Sequence, residues 1–516
     1  MKLNKFKSYF LSFFILVVII FNYINFVGFK EVKDDNVDYL KYTLNFAIHD
    51  KQSMSLHQDQ NIIFDDERSP GYPFLNSIFL KGDKNKLLEK NLNCFLFGED
   101  DFCKKIIIKL QKINFILYTL IVFSILIITY KVIKNIFFAL LISLFFSLNT
   151  FFVTNISNIN PEIISTLIIL WLSYSSYIFY KNENYWSQIL LVIFSSIIYF
   201  FKPAFIFYLL FLLLINIFLD LKYNKTLQKN NLKIILIFII SISPILFLKF
   251  TTFNEVKKIT KTSDVIIKIK ERYYEKYSPY KNQNIMRDSN NHDNFLPDNT
   301  GGEVLLARAV YSFIKWSEIP PLIISFLPVV NNYLLDNIYE NQEIERIKPG
   351  ASFEGRNRNY FLIYRKFISE DYLLNNGYDL KKINTLQKSS IIYFSSTLKQ
   401  LVLTPIFAFR GILAATNFND LNDRFSDPLI TKLYKSLAIM TFFAQFFGLL
   451  FLLYYFVKFI FNNINIKYVY LIMVPTYSIV FHSLLTHYIP RYSQPLMATA
   501  YVFLGILLYE LIYKKN

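Results

Sequence analysis

Residues 113–180 read INFILYTL IVFSILIITY KVIKNIFFAL LISLFFSLNT FFVTNISNIN PEIISTLIIL WLSYSSYIFY, and this stretch decides the fold. It holds three apolar runs, near 113–130, 136–153 and 162–180. Lys131 and Lys134 part the first two, and Asn160-Pro161-Glu162 opens the third. Each run approaches the roughly 20 residues that a helix needs to cross a bilayer. Strands rarely exceed about 10 residues, so the runs predict helices.

Outward from this stretch the pattern repeats. The chain opens MKLNKFKSYF and continues apolar to about Gly28. That run is longer than a signal-peptide core and no small-residue cleavage site follows it, which predicts an uncleaved first span. Further runs lie near 187–201, 204–219, 233–250, 436–457, 468–486 and 495–513. The expectation is an all-α polytopic membrane protein of about ten transmembrane helices. Its parts are a first helix at 1–28, an outer loop at 29–112, helices within 113–250, an outer segment at 251–432 and C-terminal helices at 433–516. Two half-apolar stretches in the outer segment, Ile319–Leu335 and Ser390–Ala415, are interrupted by Pro320, Pro321 and Pro328 and by Lys399 and Arg410. They read as interfacial or re-entrant helices; if both cross, the total is twelve.

Charge supplies the orientation. Lys131 and Lys134, Lys181, Lys222 to Lys233, Lys458 and Lys467 occupy alternate short loops, and Lys514 and Lys515 end the chain on the same side. By the positive-inside rule both termini are cytoplasmic, and segments 29–112 and 251–432 face outward. The formal charge of +17 belongs to these loops and to a lysine-rich, low-GC composition, which fits a bacterial inner membrane. No soluble segment carries basic clusters with interleaved aromatics, so nucleic acid is excluded as a partner. Two cysteines, Cys94 and Cys103, are too few for a cysteine-built zinc or iron–sulfur site. In an outward-facing loop they are free either to pair or to remain thiols.

Candidate chemistry gathers at the outer membrane edge. Asp34-Asp35-Asn36-Val37-Asp38-Tyr39 follows the first span. Such acids are ordinarily solvated flanks. Three carboxylates within five residues, with Asp35 and Tyr39 four apart on one helical face, also suit an acid/base group. Arg68-Ser69-Pro70-Gly71-Tyr72-Pro73 is a turn signal with Pro73 placed to stop it, and it presents a guanidinium suited to phosphate together with Tyr72. Glu162 opens a span, where the helix dipole alone accounts for a carboxylate. Lys202, in Phe201-Lys202-Pro203, is a rare cation on the outer side, either snorkelling or holding phosphate. Arg491, beside Tyr492 in HYIPRYSQP (487–495), defies the positive-inside bias in a short outer loop. There is no phosphate-cradling glycine loop and no HExxH, and the five histidines show no metal-ligand spacing.

In order, these motifs resemble the GT-C class of membrane glycosyltransferases, and within it the protein-mannosyltransferase-like and aminoarabinose-transferase-like bacterial members. Asp35 with Tyr39 matches the family's opening outer-loop pair, and Arg68 to Pro73 matches its R-x-P-G-Y-P turn. Pro161-Glu162 matches the acidic start of an early span, Lys202-Pro203 the basic-proline corner, and Arg491, Tyr492 and Pro495 the late R-Y-x-x-P. The likeness covers roughly 1–220 and 465–513. Where the family often has Asp-Glu this chain has Asp34-Asp35, leaving both as candidates, with the spacing to Tyr39 favouring Asp35.

The resemblance implies a polyprenyl-phosphate-sugar donor within membrane lipid, a lipid, glycan or protein acceptor, and transfer on the extracytoplasmic face. Asp35 or Asp34 and Glu162 are then the catalytic carboxylates. Tyr39, Arg68, Tyr72, Lys202, Arg491 and Tyr492 bind substrate. Some members of the class use a divalent metal, for which Asp34, Asp35 and Glu162 are the available ligands. The alternatives are a transporter or flippase of lipid-linked glycans and a polymerase or ligase joining them. A transporter places functional charge near mid-bilayer, whereas the conspicuous charges here sit at the outer edge.

Overall fold

The computed structural model describes residues 2–33, 35–59, 62, 68–182, 184–223, 228–259, 305–314, 316–325, 369–380, 382–413, 428–461, 468–486 and 492–513. Among the described residues the architecture is all helix. Seven helices are long and apolar enough to cross a membrane, and up to nine if each of two bent pairs is one span.

Helix α1 is Lys2–Phe26. The polar segment that follows holds α2, Asp35–His49, and α3, Gly71–Leu80. Helix α4 runs Asp101–Ile133, beginning well before the apolar run it carries. At 33 residues and 1.5 Å per residue it is about 50 Å long, more than a bilayer core requires. Next come α5, Ile136–Ser147; α6, Glu162–Asn182; α7, Tyr185–Phe201; α8, Tyr208–Tyr223; and α9, Gln228–Ile259. The C-terminal part contributes α10, Thr385–Ser395; α11, Thr397–Leu413; α12, Pro428–Phe461; α13, Val469–Leu485; and α14, Met497–Tyr513.

All ten apolar runs are thus helical, but not all are straight or full-length spans. The run at 136–153 breaks at Asn149, whose side chain accepts from the Phe152 amide and so caps a new short helix, Thr150–Val153. The two pieces meet at 58°. Helices α7 and α13 have 17 residues each, about 25 Å, at the lower limit for crossing. Before the C-terminal spans α10 and α11 meet at 97°, the geometry of a broken span or re-entrant loop. Pro320 and Pro321 do not interrupt a helix. They sit in the first turn of a short one, Ile319–Ser325, where a missing N–H is harmless. Residues 326–335, with Pro328, lie outside the described residues.

Helix α6 is central: 72% of its apolar window is buried, against 22% for α1 and for α9. The outer faces of α1 (Phe10, Phe13, Ile20) and α9 (Leu236, Ile239, Phe247) are exposed and apolar, as lipid-facing surfaces are. Inside, amides tie the helices together. Asn22 donates to Tyr118 Oη at 2.9 Å, and Asn149 donates to Gln445 Oε1 at 3.2 Å and to Tyr501 Oη at 3.3 Å. Interhelical hydrogen bonds of this kind compensate polar groups removed from water.

The first polar segment is held by its own staple. Cys94 and Cys103 form a disulfide. Inside that loop Gly98 takes φ +65°, the left-handed conformation of a helix C-cap, and a Cβ there would lie 2.4 Å from the Phe29 ring. The Val32 amide donates to Leu96 O at 3.0 Å. The stapled loop therefore fixes residues 29–32, which lead straight into α2.

Candidate functional site

Asp35 and Asp38 stand in the first turn of α2, where the helix dipole favours carboxylates, and their three-residue spacing puts them on one face. Arg68 lies across that face. Its Nη2 donates to Asp35 Oδ1 at 2.5 Å and to Asp38 Oδ2 at 2.7 Å, and its Nε donates to the same Asp38 oxygen at 3.2 Å. Gln52 Nε2 donates to the Arg68 carbonyl at 2.8 Å, anchoring the backbone beneath the side chain. The guanidinium also lies 5.7 Å from the centroid of the Tyr39 ring. Burial opposes its charge, but Asp35, Tyr39 and Asp38 more than offset that and hold it above its ordinary range.

The turn after Arg68 runs directly into α3. Pro73, expected to stop it, sits in the first helical turn, where a missing N–H costs nothing. Tyr72 is fully buried, and its hydroxyl donates to Asn114 Oδ1 at 3.3 Å. The Asn160 backbone reaches the same hydroxyl, and burial pushes its pKa up to about 12. The Tyr72 ring packs edge-on against Tyr39, centroids 5.8 Å apart. Tyr72 therefore couples the Arg68 turn to the Asn160-Pro161-Glu162 corner from within the protein.

A second tie joins the turn to the Lys202 corner. Ser69 Oγ donates to the Phe201 carbonyl at 2.9 Å. Two residues on, Gly71 has no room for a side chain, since a Cβ would sit 2.8 Å from the Phe200 carbonyl oxygen. Lys202 itself turns to the start of α6: its Nζ donates to Glu162 Oε2 at 2.9 Å and to Oε1 at 3.1 Å. The Glu162 side chain is only 2% exposed, so the ammonium compensates a buried charge.

Tyr492 closes the cluster from the C-terminal side. Its ring lies 4.7 Å from that of His482 on α13, and Lys202 bears electrostatically on His482. His482 Nδ1 donates to the Ser478 carbonyl at 2.7 Å, leaving Nε2 as the acceptor nitrogen. Arg410 of α11 interacts electrostatically with Tyr492. Asp34 and Arg491 lie outside the described residues.

The fold thus brings together Asp35, Tyr39, Arg68, Tyr72, Glu162 and Lys202, with Tyr492 beside them. Asp38 received no role from the sequence, although its spacing from Asp35 was visible. Ser69 and His482 carried no signal that a single sequence offers. For a divalent metal the fit is poor, because Asp35 faces Arg68 and Glu162 faces Lys202, so each already has a cation against it. Among the described residues one group has metal-ligand spacing, Cys94, Asp100 and Cys103, and its two sulfurs are committed to the disulfide. No family model, characterised protein or solved structure matches the chain.

Proposed function

We propose that the chain is an integral membrane glycosyltransferase that moves a sugar from a polyprenyl-phosphate donor to an acceptor at the extracytoplasmic face. The observation that carries this reading is the assembly of Asp35, Arg68, Glu162 and Lys202 around the Ser69–Phe201 hydrogen bond. Four separate stretches of an apolar chain bring together two carboxylates and two cations, at the start of α2, just before α3, at the start of α6 and just after α7. At headgroup depth, cations meet a lipid phosphate, and carboxylates meet the acceptor it reacts with. The Cys94–Cys103 disulfide supports an outward-facing first segment, because disulfides persist in oxidising compartments.

In this reading Asp35 is the base, and its side chain, 40% exposed, is the most accessible of the set. It takes the proton of an acceptor hydroxyl or amine as that group attacks the anomeric carbon. The bond from that carbon to the phosphate oxygen breaks, and lipid phosphate leaves with its charge held by Arg68, Lys202 and Arg491. Glu162 keeps Lys202 aimed and orients sugar or acceptor.

The test is mass spectrometry of lipid-linked sugars and surface glycans in a deletion strain rescued with wild type or Asp35→Asn at equal membrane abundance. Accumulated donor lipid, one sugar missing from a surface product and failed rescue by Asp35→Asn are expected. Full rescue by Asp35→Asn sinks the assignment and favours a transporter of lipid-linked glycans.

A further inference from the structure

Helix α13 ends at Leu485, close to the His482–Tyr492 contact, and the carbonyls of its last turn need donors from beyond the helix. Thr486 meets the His482 carbonyl with its amide at 2.9 Å and its hydroxyl at 2.7 Å. The next two carbonyls are met by side chains far away in sequence. Arg308 Nε donates to Ser483 O at 3.2 Å, and Tyr393 Oη of α10 donates to Leu484 O at 3.0 Å. A guanidinium at this end also faces the negative pole of the helix dipole.

Arg308 is completely buried. Besides its bond to α13 it donates through Nη1 to Gln400 Oε1 and through Nη2 to the Gln400 carbonyl at 2.9 Å. Its guanidinium lies 4.5 Å from the centroid of the Phe407 ring. Gln400 is held in turn, its Nε2 donating to Ser312 Oγ at 2.7 Å and to Ala309 O at 3.2 Å. One side chain thus ties residues 305–314 and α11 to the end of α13, and Tyr393 adds α10. The tied end borders the site: His482 immediately precedes Ser483, Lys202 bears electrostatically on His482, and Arg410 of α11 bears on Tyr492.

We infer that Arg308 is a positioning residue of the site, which with Tyr393 caps α13 and so fixes where His482 and Tyr492 stand relative to Lys202. This deepens the glycosyltransferase reading and rests on it. The cap depends on the fork of the guanidinium: Nε reaches α13 while Nη1 and Nη2 hold α11. A lysine ammonium carries the same charge but cannot divide its donors in that planar way.

The probe is a sugar-free polyprenyl monophosphate titrated onto the full chain in phosphatidylcholine nanodiscs, with amide exchange at Thr486 followed in the same samples. Tyr393→Phe removes one cap bond and no charge. It should weaken binding about threefold and speed Thr486 exchange as the end of α13 frays. Arg308→Lys keeps the charge and loses the fork, and it should weaken binding about fivefold. Wild-type affinity in either folded variant overturns the inference, because a charge acting at a distance, or a tie serving stability alone, leaves affinity unchanged. Unchanged Thr486 exchange in Tyr393→Phe overturns it as well, by showing that the bond does not hold the helix end. If Arg308→Lys does not fold, Tyr393→Phe decides alone. Wild-type protein that binds no polyprenyl phosphate overturns the donor reading and the inference with it, whereas normal wild-type binding that the variants do not weaken overturns the inference alone.

Discussion

Ser69 and Phe201 are 132 residues apart in sequence and joined by a 2.9 Å hydrogen bond from the serine hydroxyl to the phenylalanine carbonyl. That contact fastens the polar segment holding Arg68 to the end of the helix before Lys202. Gly71 makes the same approach possible by having no side chain.

Gly71→Ala should therefore do more harm than Ser69→Ala. The new methyl meets backbone, which cannot swing aside, so a loss of about 1–3 kcal/mol is expected, against about 1 kcal/mol for the lost serine bond. Thermal unfolding of the purified variants checks the order, and equal, small losses would show that the seam is looser than drawn.

The Glu162–Lys202 pair separates stability from chemistry. Lys202→Met alone leaves a buried carboxylate without its cation and should cost about 2–3 kcal/mol, below the fully buried case because Lys202 remains partly exposed. Adding Glu162→Gln should return most of that stability. Sugar transfer should stay below a tenth of wild type in both, and recovery of transfer in the double variant would rule the pair out of the site.

Acid should loosen the first polar segment at His57. This histidine is fully buried, its Nε2 donates to Lys90 O at 2.8 Å, and its Nδ1 has no partner. Burial lowers its pKa in the folded state below the ordinary 6.5. The folded form thus binds fewer protons than the unfolded form, so stability is full above about pH 6.5 and falls as pH drops toward the folded value. Protection factors for amide exchange across residues 84–98, taken relative to the intrinsic rate at each pH, should fall between pH 7.5 and 5.5, and His57→Gln should blunt that change. An identical fall in both proteins would place the acid-sensitive group elsewhere.

The disulfide doubles as a topology probe. Reducing intact cells with a membrane-impermeant phosphine should expose Cys94 and Cys103 to an equally impermeant maleimide. Cys94→Ser should destabilise the stapled segment by about 2–3 kcal/mol, as expected for a short closed loop. Labelling only after lysis would put this segment in the cytoplasm and reverse the orientation.

Much of this was legible in the sequence, because lipid imposes one strong rule: long apolar runs become helices. The runs at 113–130 and 162–180 were plain for that reason. The 58° break at Asn149 was not, since a capping asparagine inside an apolar run resembles any other polar residue until its partner amide is known. Asp35, Glu162 and Lys202 could be singled out as charges at the edges of apolar runs, and Arg68 by the Pro-Gly turn that follows it. Their pairing could not, because periodicity says which face a residue occupies and nothing about which distant chain lies opposite. Tyr72 shows the same limit: it looked like a surface group of a turn and is wholly interior.

The Arg68–Asp35–Asp38 group is built within 34 residues of chain, and the Glu162–Lys202 pair within the hairpin of α6 and α7. Both halves are encoded before residue 203, and each can form from its own neighbourhood as the chain enters the membrane. The Ser69–Phe201 hydrogen bond therefore joins two locally made pieces. Insertions or rearrangements in the segment after α9 alter residues of neither piece.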